Sequence, residues 1–317
     1  MVRFARLLVS VAIIAFSSSL VLTACGSGTP EPPDSGEMNG DVDGKVIYGD
    51  DNRHELYQEK DPVMKALADS TVVLLETASV GPEVNGFREV KGTSFKSQYS
   101  LCADEPFGAQ IASGFCSGFL VSPNTIATAG HCIRDAQTCS TTLFAFGYWY
   151  KAPNGDPRRL AASEVYKCKQ ILRREENSAS ADFAIIQLDR AVTGHTPLPL
   201  RKSGKVANGE PLVVMGYPSG LPLKIADGAQ VRDTNPPKHF VANLDTYGGN
   251  SGSAVFNTAT KVVEGILVRG EQDFVLDPKG CARSNKCGPN TCRGEDVTKI
   301  AEALPYIPGY RPVPRKK

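Results

Sequence analysis

The chain reads as an all-β, antiparallel protein of sandwich or barrel type, and three observations lead there. Short apolar runs recur along it, separated by Gly, Pro, Asn and Asp. Many of those runs hold β-branched or aromatic residues, which suit a pleated, half-buried surface. Their number and spacing do not alternate with long helical patterns, as a parallel sheet of βα units would require. The candidate strands span 71–77, 115–121, 125–129, 142–150, 183–188, 211–216, 239–244, 253–256 and 262–268. Two helices are expected. One is short, over 62–70. The other is near the C-terminus at 295–304, with Glu295 and Asp296 in its first turn, Val297, Ile300, Ala301 and Leu304 on one face, and Pro305 ending it. No internal repeat is visible at the sequence level.

Taken from the start, Arg3 and Arg6 make a basic opening and 7–22 an apolar run of export-signal length. The run is too short and too Ser-interrupted for a bare transmembrane anchor. It ends in Leu22-Thr23-Ala24-Cys25, which resembles the lipobox of bacterial lipoproteins. That resemblance implies a signal peptide over 1–25, lipid attached at Cys25, and a surface anchor that does not span the bilayer. Residues 26–45 are rich in Gly, Ser, Pro and acids, which makes them a solvated tether or propeptide. The remaining chain can bury one large core or two modest ones. A formal charge of +1 gives no electrostatic footprint for nucleic acid.

Setting Cys25 aside, the nine cysteines leave an even set: Cys102, Cys116, Cys132, Cys139, Cys168, Cys281, Cys287 and Cys292. In an exported chain that reads as up to about four disulfides. A zinc site at Cys281, Cys287 and Cys292 is the rival reading. It lacks a closely spaced cysteine pair and a nearby histidine.

The segment with most chemical content is Asp245-Thr246-Tyr247-Gly248-Gly249-Asn250-Ser251-Gly252-Ser253, lying between strand-like runs. A serine among glycines on a tight turn can present its hydroxyl, and the turn can aim the N–H groups of Gly249 and Ser251 at one point. A serine hydroxyl needs a base within hydrogen-bond reach. Of the histidines His54, His131, His195 and His239, His131 stands out: it follows a strand-like run and a glycine, and Cys132 flanks it. A carboxylate should orient the imidazole, and Asp182, opening the apolar run 182–188, suits that role.

Phe115-Cys116-Ser117-Gly118-Phe119-Leu120-Val121-Ser122, Thr128-Ala129-Gly130-His131-Cys132, Ala181-Asp182-Phe183-Ala184-Ile185-Ile186 and Gly248–Ser253, in that order, resemble the chymotrypsin-like serine proteases. The bacterial V8-type (glutamyl-endopeptidase-like) branch is the nearest. Val46-Ile47, Asp51-Asn52-Arg53-His54 and Gly216-Tyr217-Pro218 add to the match, which covers roughly 46–305. The resemblance implies two six-stranded antiparallel β-barrels with a cleft between them. The first (46–195) would carry His131 and Asp182, and the second (196–305) Ser251 and the short C-terminal helix; 306–317 is a tail. It also implies a Ser251–His131–Asp182 triad acting through an acyl-enzyme, an oxyanion hole at Gly249 and Ser251, and a Cys116–Cys132 disulfide. The other six cysteines keep fifteen possible connectivities.

Two departures bear on activation and specificity. Asn250 stands where trypsin-type zymogens carry the aspartate that pairs with a freed N-terminus; the V8 branch also has Asn there. By the same resemblance, a cut after Lys45 would make Val46 the mature N-terminus and release the domain from its anchor. Glutamyl-specific members carry a pocket histidine in the strand that aligns with 265–270, where this chain has Leu267. Asp245 lies six residues before Ser251, at the position of the acid that binds Lys or Arg in trypsin-like enzymes. The functional expectation is an exported, envelope-anchored, monomeric serine endopeptidase acting on proteins or peptides, with no metal or organic cofactor. A silent double-barrel binding or adhesion module and a serine esterase are the alternatives. The Ser…Asp…His order and strand–elbow–helix context of an α/β-hydrolase are absent.

Overall fold

The computed structural model describes residues 46–177 and 181–311. The expectations for Cys25, the signal segment and the tether fall outside them. No described helix is long and apolar enough to cross a membrane.

Twelve strands build two closed barrels. The first contains β1 (Thr71–Glu76), β2 (Cys116–Ser122), β3 (Thr125–Thr128), β4 (Thr142–Ala145), β5 (Val165–Glu176) and β6 (Asp182–Leu188). The second contains β7 (Pro211–Gly216), β8 (Lys224–Asp233), β9 (His239–Ala242), β10 (Ala254–Asn257), β11 (Val263–Arg269) and β12 (Glu295–Lys299). Around the first ring the order is β1-β2-β3-β6-β5-β4, and around the second β7-β8-β9-β12-β11-β10. Both rings therefore use the same connection pattern, a repeat that leaves no trace in the residue types. All ring pairings are antiparallel, as short hairpin-linked strands require. Closure leaves no edge inside either ring, and Arg53–Glu55 adds a short strand outside, on β8. The expected two six-stranded barrels are what the chain forms.

The first core is filled by Val72, Leu74, Phe119, Ile126, Phe144, Ile185 and Ile186, the second by Leu212, Val214, Phe240, Val255, Leu267 and Val297. At roughly 25 cal/mol per Å² of apolar surface, each fully buried side chain of this kind contributes about 1.5–3 kcal/mol.

Several strand and helix expectations shift. The C-terminal helix shrinks to α4 (Ile300–Ala303), because 295–299 instead form β12, pairing with β9 on one side and β11 on the other. The helical spacing of Val297, Ile300 and Leu304 loses to the need for a sixth strand. Strands β5 and β8 were not among the candidates. The first is largely charged, and the second contains Asp227-Gly228, a turn signal; Gly228 has φ +76 within the strand. The 142–150 run stops at Ala145, and Gly147 turns at φ +83. The short helix α1 (Pro62–Ala68) lies where expected, capped by Asp61, which accepts from Val63 N. Two further short helices are α2 (Phe95–Tyr99) and α3 (Ala136–Thr141).

The eight described cysteines form disulfides 102–281, 116–132, 139–168 and 287–292. Cys281, Cys287 and Cys292 are thus all bonded to sulfur, and the zinc reading fails. Cys102–Cys281 joins the long insertion between β1 and β2 to the one between β11 and β12. Beneath it Phe95, Tyr99, Tyr247 and Phe274 cluster with ring centroids 4.9–6.1 Å apart.

Candidate active site

His131 rides on a single turn, Gly130–Cys132, that follows β3. Gly130 is required there, since an added Cβ would fall 1.9 Å from the Glu175 carbonyl oxygen. Cys132 ties the turn to Cys116 at the start of β2.

Asp182 opens β6 and is 3% exposed. Its Oδ2 lies 2.7 Å from His131 Nδ1, and its Oδ1 accepts from Gly130 N (2.5 Å) and His131 N (3.2 Å). Burial pushes this carboxyl up. The His131 ring and the two N–H groups pull it further down, so it sits below the usual carboxylate range. It is the anionic partner that fixes one imidazole tautomer. The second barrel grips the same residue: Thr298 Oγ1 on β12 donates to Asp182 O (3.0 Å), and Arg269 Nη1 at the end of β11 lies 3.8 Å from Asp182 Oδ2.

Ser251 sits on the turn between β9 and β10. Its Oγ donates to Val268 O (3.3 Å), and its carbonyl accepts from Ser117 N (2.8 Å). Cys132 Sγ, one residue from His131, lies 3.6 Å from the same carbonyl, so the serine and histidine turns abut across the barrels. Gly249 (φ +81) and Gly252 (φ +91) hold the turn in a region that disfavours side chains. Asn250 is buried and uncharged, with Oδ1 accepting from Ser253 Oγ (3.2 Å). Ser117 braces the turn from β2: its Oγ donates to Gly249 O (2.8 Å) and accepts from Tyr217 N (3.0 Å).

Leu267 and Asp245, the two expected specificity positions, are both buried. Leu267 is fully buried in the core of the second barrel. Asp245 is 4% exposed and turned toward the amino-terminal strand: Oδ1 accepts from Tyr48 N (2.7 Å) and Oδ2 from Asn52 N (3.0 Å). Burial pushes its carboxyl up to about 6 against those hydrogen bonds. Val46 and Ile47 are fully buried beside it, and Val46 O accepts from Thr246 N (3.1 Å).

Sequence reasoning missed three contributors. Arg269 is visible as a lone cation closing the apolar run 265–268, and Thr298 lay inside the expected helix. Ser117 was noticed only as part of a motif, with no role attached.

The chain matches the model of the trypsin-like peptidase domain over residues 116–266. It is 24% identical over 190 residues to the glutamyl endopeptidase of Bacillus licheniformis, covering 55% of this chain and 56% of that protein. It is 26% identical over 211 residues to the snake venom serine protease BthaTL of Bothrops alternatus, covering 61% and 84%. It therefore spans just over half the length of the glutamyl endopeptidase. A solved Glu endopeptidase structure superposes with a TM-score of 0.47 at 16% identity, covering 81% of this chain and 95% of the other. The stretch that matches the trypsin-like peptidase domain, residues 116–266, contains His131, Asp182 and Ser251.

Proposed function

We propose that the chain is an exported serine endopeptidase that cleaves peptide bonds through an acyl-enzyme on Ser251. The observation that carries this reading is the Asp182 carboxylate 2.7 Å from His131 Nδ1, with its other oxygen fixed by Gly130 and His131 N–H. A carboxylate only accepts, so Nδ1 carries the proton and Nε2 presents a lone pair. Ser251 Oγ, on the turn that abuts that of His131, is the nucleophile. His131 removes the hydroxyl proton while Oγ attacks the scissile carbonyl, and the N–H groups of Gly249 and Ser251 receive the oxyanion. The imidazolium, held by Asp182, then donates its proton to the leaving amine. Water repeats the sequence against the ester and frees Ser251.

The amino-terminal segment belongs to the same proposal. Export places a lipid on Cys25, and a cut after Lys45 releases a domain beginning at Val46. The burial of Val46 and Ile47 against the 245–247 segment supports a start at this point, because a terminus here would be packed into the fold. Asn250 gives a freed amine no carboxylate to pair with beside Ser251, so activation would not use a trypsin-style ion pair.

One experiment tests these points together: label with a serine-reactive phosphonate, then sequence the N-terminus of the labelled protein. We expect label on wild type, none on Ser251→Ala, and a labelled chain starting at Val46. Absence of label on wild type, or equal label on Ser251→Ala, favours a silent binding module. A labelled chain that keeps 25–45 removes the processing step. Hydrolysis of peptides, and not only of esters, separates endopeptidase from esterase.

A further inference from the structure

Gly248, one residue before the proposed oxyanion donor Gly249, is held at both ends of its backbone. Its N–H donates to Asp273 Oδ2 (2.8 Å), on the long insertion between β11 and β12. Its carbonyl accepts from Ser219 N (2.5 Å), on the turn that follows β7. None of the described peptide bonds is cis, so the C=O of Gly248 and the N–H of Gly249 point opposite ways across one plane. Fixing the carbonyl on Ser219 N therefore aims the Gly249 N–H away from that turn.

Both anchors are themselves held from outside the Ser251 turn. Ser219 is 2% exposed and takes φ 50, ψ 24, a left-handed conformation that a residue with a Cβ keeps only when its surroundings impose it. The insertion between β1 and β2 imposes it. Ser113 N (2.9 Å) and Gly114 N (3.3 Å) donate to Gly220 O, and a Cβ on Gly220 would fall 2.1 Å from Gly114 O. Gly249 backs onto the same turn, where a Cβ would fall 2.8–3.0 Å from Tyr217 O, Ser219 N and Gly220 N. Turning the 248–249 peptide over would take the donor from Gly248 O and face the Gly249 N–H toward another N–H. Asp273 is tied down in turn. Its carbonyl accepts from Asn285 N (2.8 Å), and the next residue, Phe274, packs on Tyr247 with ring centroids 4.9 Å apart. Cys102–Cys281 joins the two insertions that supply these anchors.

We propose that Asp273 is a positioning residue for acyl transfer: by holding the Gly248 N–H, it keeps the Gly248–Gly249 pair in the one arrangement that presents the Gly249 N–H to the oxyanion. This rests on the endopeptidase reading above and names what orders its anion site. Two adjacent glycines have the widest backbone freedom of any pair, so their arrangement has to be imposed by neighbours. Asn250 has no charge with which to hold a freed amine, and the two insertions do the ordering instead. The aimed N–H matters once charge builds on the carbonyl oxygen, so losing the anchor weakens transition-state binding and leaves substrate binding nearly unchanged.

The test compares wild type, Asp273→Ala and Asp273→Asn on one peptide substrate and on the matching peptide aldehyde, whose adduct with Ser251 places an oxygen where the oxyanion forms. Asp273→Ala should lower kcat by about 10- to 100-fold with KM within about threefold, because a misaimed donor loses part of the effect of a deleted one. The aldehyde inhibition constant should rise by a similar factor. Asp273→Asn keeps an acceptor oxygen and should hold kcat within about threefold of wild type. An unchanged kcat in Asp273→Ala, a loss that falls on KM with aldehyde affinity unchanged, or an Asp273→Asn as slow as Asp273→Ala overturns the assignment. Should Asp273→Ala fail to fold, amide exchange in wild type decides. The Gly248 N–H should exchange at least about 100-fold more slowly than in an unstructured glycine, and exchange at the free rate overturns the proposal. A wild type that takes no phosphonate label and cuts no peptide overturns the endopeptidase reading and this proposal with it. An active wild type indifferent to Asp273→Ala overturns this proposal alone.

Discussion

Arg269 shows how one side chain can tune the site without touching substrate. Its guanidinium lies 3.8 Å from the Asp182 oxygen that faces His131, and it is anchored by Asp296 Oδ2 at 2.8 Å. Arg269 thereby braces the carboxylate that faces His131 and ties it to the second barrel. Arg269→Met should lower kcat/KM by roughly tenfold, and Arg269→Lys should restore most of it. An unchanged kcat/KM in Arg269→Met would show that this brace does not matter. The residues proposed as the triad were legible because each sits in a motif whose residue types carry the chemistry. Arg269 and Thr298 were not, because β11 and β12 bring them to Asp182 only once the barrels have formed. Asp245 was the converse case. Its distance from Ser251 along the chain suggested the pocket, but the orientation of its carboxylate depends on Tyr48 and Asn52, nearly two hundred residues away.

At the scale of elements, the Ser251 turn is held by backbone geometry more than by side chains. Gly252 takes φ +91, and an added Cβ would lie 2.0 Å from Ser117 O and 2.3 Å from Thr128 Oγ1. Gly252→Ala should destabilise the fold by about 2–5 kcal/mol, combining left-handed strain with overpacking. Thermal unfolding should show a midpoint several degrees lower; an unchanged midpoint would mean that β2 and β3 yield easily and the turn is not clamped. The glycines made this turn legible in the sequence. Strand β12 was not: Val297, Ile300 and Leu304 have helical spacing, and nothing local says that Ala242 and Arg269 wait on either side to pair. Strand β5 was hidden for a different reason. Charges such as Lys167, Lys169 and Arg173 face solvent along it, so no apolar run marks it.

Over the whole molecule, the connector between the barrels is pinned by a doubly held histidine. His195 Nδ1 lies 2.9 Å from Asp69 Oδ2 beyond α1, and Nε2 lies 2.7 Å from Glu164 Oε2 before β5, with the ring stacked 4.2 Å from Phe146. Burial pulls this imidazole down, but the two carboxylates outweigh it and push it up to about 9. A group raised in the folded state contributes fully below its unfolded value and loses that contribution as pH climbs through about 9. Asp69 is 43% and Glu164 30% exposed at the side chain, so solvent screening reduces the effect to about 1–2 kcal/mol. Denaturant titrations should show wild type losing that margin between pH ~6.5 and ~9.5 relative to His195→Gln. Parallel curves for the two proteins across that window would show that the histidine is not charged in the fold. The apolar runs pointed to an all-β sandwich or barrel and the family resemblance to two closed barrels, and neither needed this clamp. These contacts hold the connector to the first barrel, and the sequence does not announce them. Of the four disulfides, only Cys102–Cys281 has one end before the connector and the other after it. A nick anywhere in 189–210 would therefore leave a two-chain molecule, its halves still covalently joined until a reductant parts them.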